Sequence, residues 1–276
     1  MNALVGSKLS IVSSRAQTTW ERVTGLRTEG TSQMIFLDTP GLLEVKDLHQ
    51  KSMLESAHQA LREADVVVFL IDATRKLADA DSEVVREALA ESRAPRLVLI
   101  NKIDEALESD VERLAHWATE SLNAMPIRIS ATRGDGLEEL TAQLESALPE
   151  GPFLFPEDDL ATQPVRFFVE EILRETVFEQ FEQEIPWSVA AKVEEYRENQ
   201  EPIYIQVTLY VDRASQKGIL LGNKGHAIRS LGSAARKKIE TFIGERVYLD
   251  LWVKPLPGWR KKRHHLKRLG YRVSED

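Results

Sequence analysis

Two different hydrophobic rhythms divide this chain. In the first half, short apolar runs alternate with stretches of helical spacing. Glu21–Glu29 and Ser32–Asp38 read as strands joined at Gly30, and Leu48–Glu63 carries apolar residues at helical intervals. After Asp65, the Asp65–Ile71 stretch is apolar without interruption, which predicts a parallel strand covered on both faces. Helices follow over Asp79–Ser92, Ser109–Asn123 and Leu137–Ala147, alternating with strands over Arg96–Ile100 and Pro126–Ile129. Such alternation predicts a doubly wound α/β sheet. Leu148–Asp159 holds three prolines and a glycine and reads as a linker over 149–160, with aromatic residues able to pack on a neighbour.

Beyond it the order changes. Phe167–Phe181 has amphipathic helical spacing, and Trp187–Tyr196 and Ile203–Asp212 alternate as strands. A helical region surrounds Gly222-Asn-Lys-Gly225, and Val247–Val253 alternates again. The chain is therefore read as residues 1–148, a linker, and a second α+β domain over 161–276.

The strand ends carry the chemistry. Leu97-Val-Leu-Ile-Asn101-Lys-Ile-Asp104 delivers Asn101, Lys102, Ile103 and Asp104 to the C-terminal edge of the sheet, where open α/β folds bind ligands. The Asp104 carboxylate accepts hydrogen bonds only, so its two oxygens match the adjacent N1–H and N2–H₂ donors of guanine and would be left unpaired against adenine. Asn101 can tie neighbouring loops together, and the Lys102 stem can cover the base. Met34–Asp38 runs into Thr39, Pro40, Gly41 and Leu42; Asp38 can hold magnesium through water and the Gly41 N–H can meet a terminal phosphate. Ile127-Arg-Ile-Ser130 ends a third strand, and a backbone N–H of Ser130, Ala131 or Thr132 can donate to guanine O6. Each motif alone also reads as an ordinary polar turn; three in this order define a guanine-nucleotide site.

These D-T-P-G, N-K-x-D and S-A elements resemble those of translation-factor-like GTPases. Ser14-Arg-Ala-Gln17-Thr18-Thr19 resembles switch I of one bacterial family, the ribosome-assembly GTPase Era, and the likeness runs from Met1 to Tyr271. The resemblance implies GTP/GDP and Mg²⁺ as ligands, with Thr18 or Thr19 closing over the metal in the GTP state and magnesium held through Thr19 and Asp38. It implies a function in 30S small-subunit maturation through the 3′ region of 16S rRNA. It also implies a cytoplasmic monomer, with peripheral inner-membrane association in some members.

One element departs from that pattern. No G-x-x-x-x-G-K-[ST] occurs in the 276 residues, so the loop that cradles phosphates is absent from this sequence. Met1–Gly6 reads like the tail of the helix that follows such a loop, and the expectation is a clipped start; a loop-free paralogue is the alternative. Family fold knowledge places the strand before that loop in mid-sheet, which leaves Met34–Asp38 and Val66–Ile71 with unpaired facing edges. Leu42 also stands where Ras-like enzymes carry a water-orienting glutamine, so no catalytic residue can be named and intrinsic hydrolysis should be slow. GTP hydrolysis is expected of a full-length parent and impaired here. A non-catalytic RNA-binding protein with a degenerate nucleotide domain is the competing reading.

Composition narrows the setting. There is no cysteine, which excludes disulfides and thiolate metal sites. No apolar run approaches a membrane span of about 20 residues. The net charge of −8 conceals a division: Ile203–Asp276 carries 16 Lys/Arg against 6 Asp/Glu, and the remainder 20 against 38. A basic second half points to a polyanion. The inferred order α-β-β-α-α-β, with Gly222, Asn223, Lys224 and Gly225 between the central helices, resembles a type II KH domain. Its G-x-x-G loop would bring backbone and the Lys224 charge against RNA. In the basic run Trp259–Arg268, Trp259 reads as a possible stacking contact, and the paired histidines lack acidic or cysteine partners for a metal.

Overall fold

The computed structural model describes residues 1–13, 15–42, 45–77 and 83–273. By contact density the chain forms two units. One comprises Met1–Lys8, Arg22–Glu44 and Glu55–Thr162; the other comprises Leu9–Glu21, Val45–Leu54 and Gln163–Asp276. The segments 9–21 and 45–54 thus group with the second unit, although the sequence reading assigns them to a 1–148 domain.

In the first unit, strands β1 (Val23–Glu29) and β2 (Ser32–Asp38) form an antiparallel pair, with Val23 opposite Asp38. Strands β3 (Val67–Asp72), β4 (Arg96–Asn101) and β5 (Ile127–Arg128) form a separate parallel sheet in that order. Among the described residues no ladder joins β2 to β3. The helices are α1 (Asn2–Val5), α2 (Leu48–Glu63), α3 (Glu83–Glu91), α4 (Glu108–Leu122) and α5 (Leu137–Ala147). The predicted helix start over residues 79–82 lies outside the described residues. Side-chain packing spans what the ladders do not: Met34 of β2 is buried with Leu99, Ile127 and Leu140, and Leu4 of α1 packs on the same cluster.

The expectation that β3 is covered on both faces is corrected. Val67 and Ile71 are buried, but Val68 and Leu70 are 39% and 53% exposed, because no described element packs on their face of the strand. The proline-rich segment is tied to the first unit: the Gln33 side chain accepts from the Leu154 and Phe155 amides and donates to the Phe155 carbonyl, and the Leu26 N–H donates to Leu160.

The second unit is a three-stranded sheet, β6 (Val189–Arg197), β7 (Ile203–Val211) and β8 (Val247–Pro255). β7 is central, antiparallel to β6 and parallel to β8. On it lie α6 (Val165–Gln180), α7 (Ile185–Ser188), α8 (Ala214–Leu221), α9 (His226–Ile243) and α10 (Arg263–Leu269). Alternate β7 residues Ile205, Val207 and Leu209 are fully buried against Leu173, Leu231 and Ile239. The predicted strand start at Trp187 is instead the short helix α7, with Pro186 in its first turn, a position where the missing N–H costs nothing.

Trp259 is also corrected. It is fully buried, donates from Nε1 to the Ser188 carbonyl and stacks on Tyr271, so it offers no surface to a ligand. Trp20 and His49 complete this aromatic cluster, with His49 edge-on to Trp20, Trp259 and Tyr271. Neither His49 ring nitrogen has a partner among the described residues, and burial, aided by Arg260 and Arg174, holds its pKa well below 6.5. The Arg174 guanidinium lies 3.6 Å from the Trp20 ring centre and donates to the Thr18 carbonyl at 2.8 Å. The Val12 N–H donates to Glu175 and the Trp187 indole to Ala16, so α6 and α7 hold the 9–21 segment at several points.

Glu21 sits in this unit with its pKa raised to about 7, by burial first and then by the charges of Glu171 and Glu170, against Arg174 and Lys192. The folded chain keeps a proton that the unfolded chain releases near 4.5. Stability therefore falls as pH rises from about 4.5 to about 7 and stays reduced above that range. Glu21→Gln is expected to match the parent in urea unfolding at pH 4.5 and to exceed it at pH 8. A stability difference that does not grow between those pH values contradicts the assignment.

Candidate nucleotide and nucleic-acid sites

The parallel pairing of β3, β4 and β5 carries three strand ends to one edge of the first unit. Asn101 closes β4 and joins its neighbours: its carbonyl accepts the Ala73 N–H at 2.9 Å and its side-chain oxygen the Ala131 N–H at 3.0 Å. The N-K-x-D and Ser130-Ala131-Thr132 loops are thereby brought together. Lys102 has a positive φ of 64°, an uncommon conformation for a residue with a side chain. Its ammonium lies 2.8 Å from the Asp72 carboxylate. Desolvation pushes the Asp72 carboxyl up, but hydrogen bonds from Lys102 and Thr74 outweigh it and leave its pKa below the ordinary value. Asp72 was missed by sequence reasoning. It carries the same signal as Asp38, an acid closing an apolar strand.

Asp104 is exposed and accepts no hydrogen bond or ion pair from the described residues, whereas Lys102 and Asn101 are both spent on protein contacts. An unspent carboxylate beside a fixed loop fits a ligand with two adjacent donors, as guanine has. Ser130 is buried, its N–H given to the Asp135 carbonyl and its hydroxyl accepting from the Arg133 N–H; Ala131 and Thr132 are exposed. Of the three candidate donors to guanine O6, the Ser130 and Ala131 amides are thus engaged within the protein.

Asp38 ends β2 half-buried and without a partner among the described residues, which suits a hard cation held through water. Pro40 is buried and Gly41 exposed, while Leu42 packs against the Val67, Val85 and Leu89 cluster. The side chain after D-T-P-G therefore anchors its turn to the core. Thr18 and Thr19 group with the second unit, where Arg174 binds the Thr18 carbonyl; Ser14 lies outside the described residues. The residues present fit a guanine base and a magnesium carboxylate. They do not supply a phosphate cradle, so no hydrolytic step is derived.

In the second unit the turn from α8 to α9 is Gly222-Asn223-Lys224-Gly225. Gly222 has φ 67° and ψ −178°, and a Cβ there would stand 2.7 Å from the Ala227 Cβ. Glycine at 222 is thus required by the turn itself; at Gly225 a side chain would meet nothing nearer than Ile228 at 3.9 Å, and its φ of 74° is left-handed, a conformation that Asp and Asn tolerate better than other side chains. Asn223 and Lys224 are exposed, and Arg229 fixes the Lys224 carbonyl at 2.9 Å.

Beside this turn α9 and β8 enclose a cleft of about 530 Å³. Ile228, Gly232, Leu249 and Leu251 give it an apolar floor; Arg229, Arg236 and Arg246 line it with positive charge, and Glu240, also in the lining, pairs with Arg236 at 3.0 Å. A Cβ on Gly232 would approach Leu251 to 3.2 Å, so glycine lets helix and strand lie close. The cleft residues were not named from the sequence; the Arg229–Arg236 spacing of two helical turns was the available signal.

An α/β unit with polar strand ends gathered at one edge, coupled in one chain to a KH-type unit with a basic cleft, defines a GTPase-class, nucleic-acid-binding protein. The family of 50S ribosome-binding GTPases matches residues 1–102 and the KH domain family matches residues 184–260. GTPase Era of Geobacter metallireducens is 37% identical over 274 residues, covering 98% of this chain and 92% of that protein. GTPase Era of Halothermothrix orenii is 37% identical over 273 residues, covering 99% and 92%. A crystal structure of Era in complex with MgGDPNP and nucleotides 1506–1542 of 16S ribosomal RNA matches with a TM-score of 0.93 at 37% identity, covering 99% of this chain and 93% of that one. A variant of Aquifex aeolicus Era bound to GDP and AlF4⁻ matches at 0.89 and 36%, with the same coverages. The chain belongs to the Era family of GTPases. Among the described residues no helix is long and apolar enough to cross a membrane.

Asn101 is the joint of the nucleotide site. Asn101→Ala removes the acceptor for the exposed Ala131 N–H, and a loss of about 0.5–1.5 kcal/mol is expected in urea unfolding. Amide exchange in residues 130–134 should quicken more than exchange in β4. Unchanged exchange in that loop would show that Asn101 does not hold it.

Proposed function

We propose that this chain is a ribosome-assembly factor that binds 16S rRNA through its KH unit and reads guanine nucleotides, with magnesium, through its strand-end loops. The observation that carries the RNA reading is the apolar, arginine-rimmed cleft beside the Gly222–Gly225 turn. Such a cleft accepts unstacked bases on its floor while the turn and its cations meet the phosphates, as in KH domains that clamp about four nucleotides. The Era relative whose structure contains nucleotides 1506–1542 of 16S rRNA makes the 3′ region of that RNA the first ligand to test.

For the nucleotide, Asp104 would read the base edge, Lys102 would lie over the ring, and Asp38 would hold magnesium. The metal would neutralise phosphate charge when bound. Leu42 faces the core and cannot orient water, so turnover is expected to be slow. The 276 residues contain no phosphate-cradling loop, and most affinity at such sites comes from that loop's amides and lysine. Weak guanine-nucleotide binding follows.

For RNA, the full chain is titrated against a labelled oligonucleotide of the 16S 3′ sequence by fluorescence anisotropy. Gly225→Asp places a negative side chain where space is open and should lower affinity sharply; Gly222 is avoided because any side chain there disrupts the turn. Lys224→Ala should weaken binding modestly and reduce the salt dependence by about one phosphate contact. A folded Gly225→Asp chain that binds like the parent would remove the turn from the RNA site.

Saturation-transfer NMR suits the weak nucleotide site. GDP signals should exceed ADP signals, and Asp104→Asn should erase that preference, because the amide presents a donor where guanine needs an acceptor. Equal responses to GDP and ADP in the parent would refute the base-reading role.

A further inference from the structure

The sheet of the second unit has a second face, and its open end is aromatic. Alternation sends Ile205 and Leu249 towards the helices and leaves Tyr204, Tyr248, Asp250 and Trp252 on the opposite side. Tyr204 pairs with Tyr248 in the β7–β8 register, and their rings stack at 5.9 Å and 13°. Tyr248 is 59% and Trp252 50% exposed, unusual for large aromatic side chains with nothing laid over them.

These rings are held in place. One oxygen of Asp250 accepts from the Tyr204 hydroxyl at 3.1 Å, the Gln206 amide at 3.3 Å and the Trp252 indole at 3.0 Å. Asp250 keeps its negative charge, and the three neutral donors use that charge to fix the rings in place. Cations flank the strip: the Arg197 guanidinium, which also pairs with Glu195 at 2.7 Å, lies 5.0 Å from the Tyr204 ring centre, and the Lys254 ammonium lies 5.8 Å from that of Trp252. Fixed π-faces bordered by positive charge are the means by which proteins hold single-stranded nucleic acid.

The strip is also continuous with the cleft. β8 supplies Leu249 and Leu251 to the cleft floor, Tyr248 lies at the cleft edge, and Trp252 is four residues further along the same strand, about 13 Å away. We propose that the outer face of β8 is a second RNA contact, on which bases of the strand leaving the cleft stack against Tyr248 and Trp252 while Arg197 and Lys254 meet its phosphates. This rests on the cleft being an RNA site.

The test uses the full chain and two labelled RNAs in anisotropy titrations: a five-nucleotide oligomer that the cleft alone can accommodate, and a twelve-nucleotide oligomer with single-stranded extensions on both sides. Trp252→Ala should weaken the twelve-mer about tenfold and leave the five-mer unchanged, and Trp252→Phe, which keeps a stacking face, should restore most of the loss. Gly225→Asp should weaken both. If Gly225→Asp weakens both while Trp252→Ala leaves the twelve-mer untouched, or weakens the two equally, the second contact is overturned and the cleft reading stands. If neither variant affects either RNA, the cleft reading itself has failed. If the parent sediments as a dimer that Trp252→Ala dissociates, the strip is a contact between copies of this chain and the proposal is overturned.

Discussion

The second unit depends on β7 being paired along both edges at once. Every position from Ile203 to Val211 has a partner on β8, and all but Ile203 have one on β6, across a bulge near Glu195. A slip of one residue would turn Ile205, Val207 and Leu209 out of the core and Tyr204, Gln206 and Thr208 into it. Register therefore fixes two surfaces together. It brings Leu249 and Leu251 to the cleft beneath α9, and it brings Tyr204 beside Tyr248 on the other side. The nucleic-acid face and the aromatic strip are two sides of one constraint.

The first unit is organised differently. Its three parallel strands end at Asp72, Asn101 and Arg128, and the hydrogen bonds of Asn101 bind those ends into one edge. The β1–β2 pair is associated with that sheet through side chains such as Met34 and Leu99 and not through peptide ladders. Dispersion and burial are less directional than hydrogen bonds. The strand-end edge is consequently the better specified part, and it is the part whose polar groups are most fully assigned.

Much of this was legible in the sequence because it rests on local pattern. Leu48–Glu63 and Leu137–Ala147 have the predicted bounds, since helical spacing and turn residues mark both ends. Asn101, Lys102 and Asp104 were found because a strand end concentrates polar residues in a short run. What failed depended on partners distant in sequence. The apolar run of β3 says nothing about whether an element covers Val68 and Leu70. Trp259 sits in a basic run, yet its surroundings are Ser188, His49 and Tyr271, none of which that run reveals. For Gly222 the structure adds a need that the sequence did not reveal, a close approach to Ala227 within its own turn.

The position of β8 at the rim of its sheet has a consequence for solubility. Its outward row of peptide N–H and C=O groups has no strand beside it among the described residues, and such a row is a template on which another chain can assemble. Arg246 stands just before the strand, Lys254 near its end and Pro255 at its last position. Like charges would repel a second copy brought alongside, and the proline cannot donate to a growing ladder. The edge can thus remain open to an extended polyanion while resisting self-assembly. Replacing those three residues with neutral, β-favouring ones would leave the fold unaltered and convert the rim into a nucleus for aggregation.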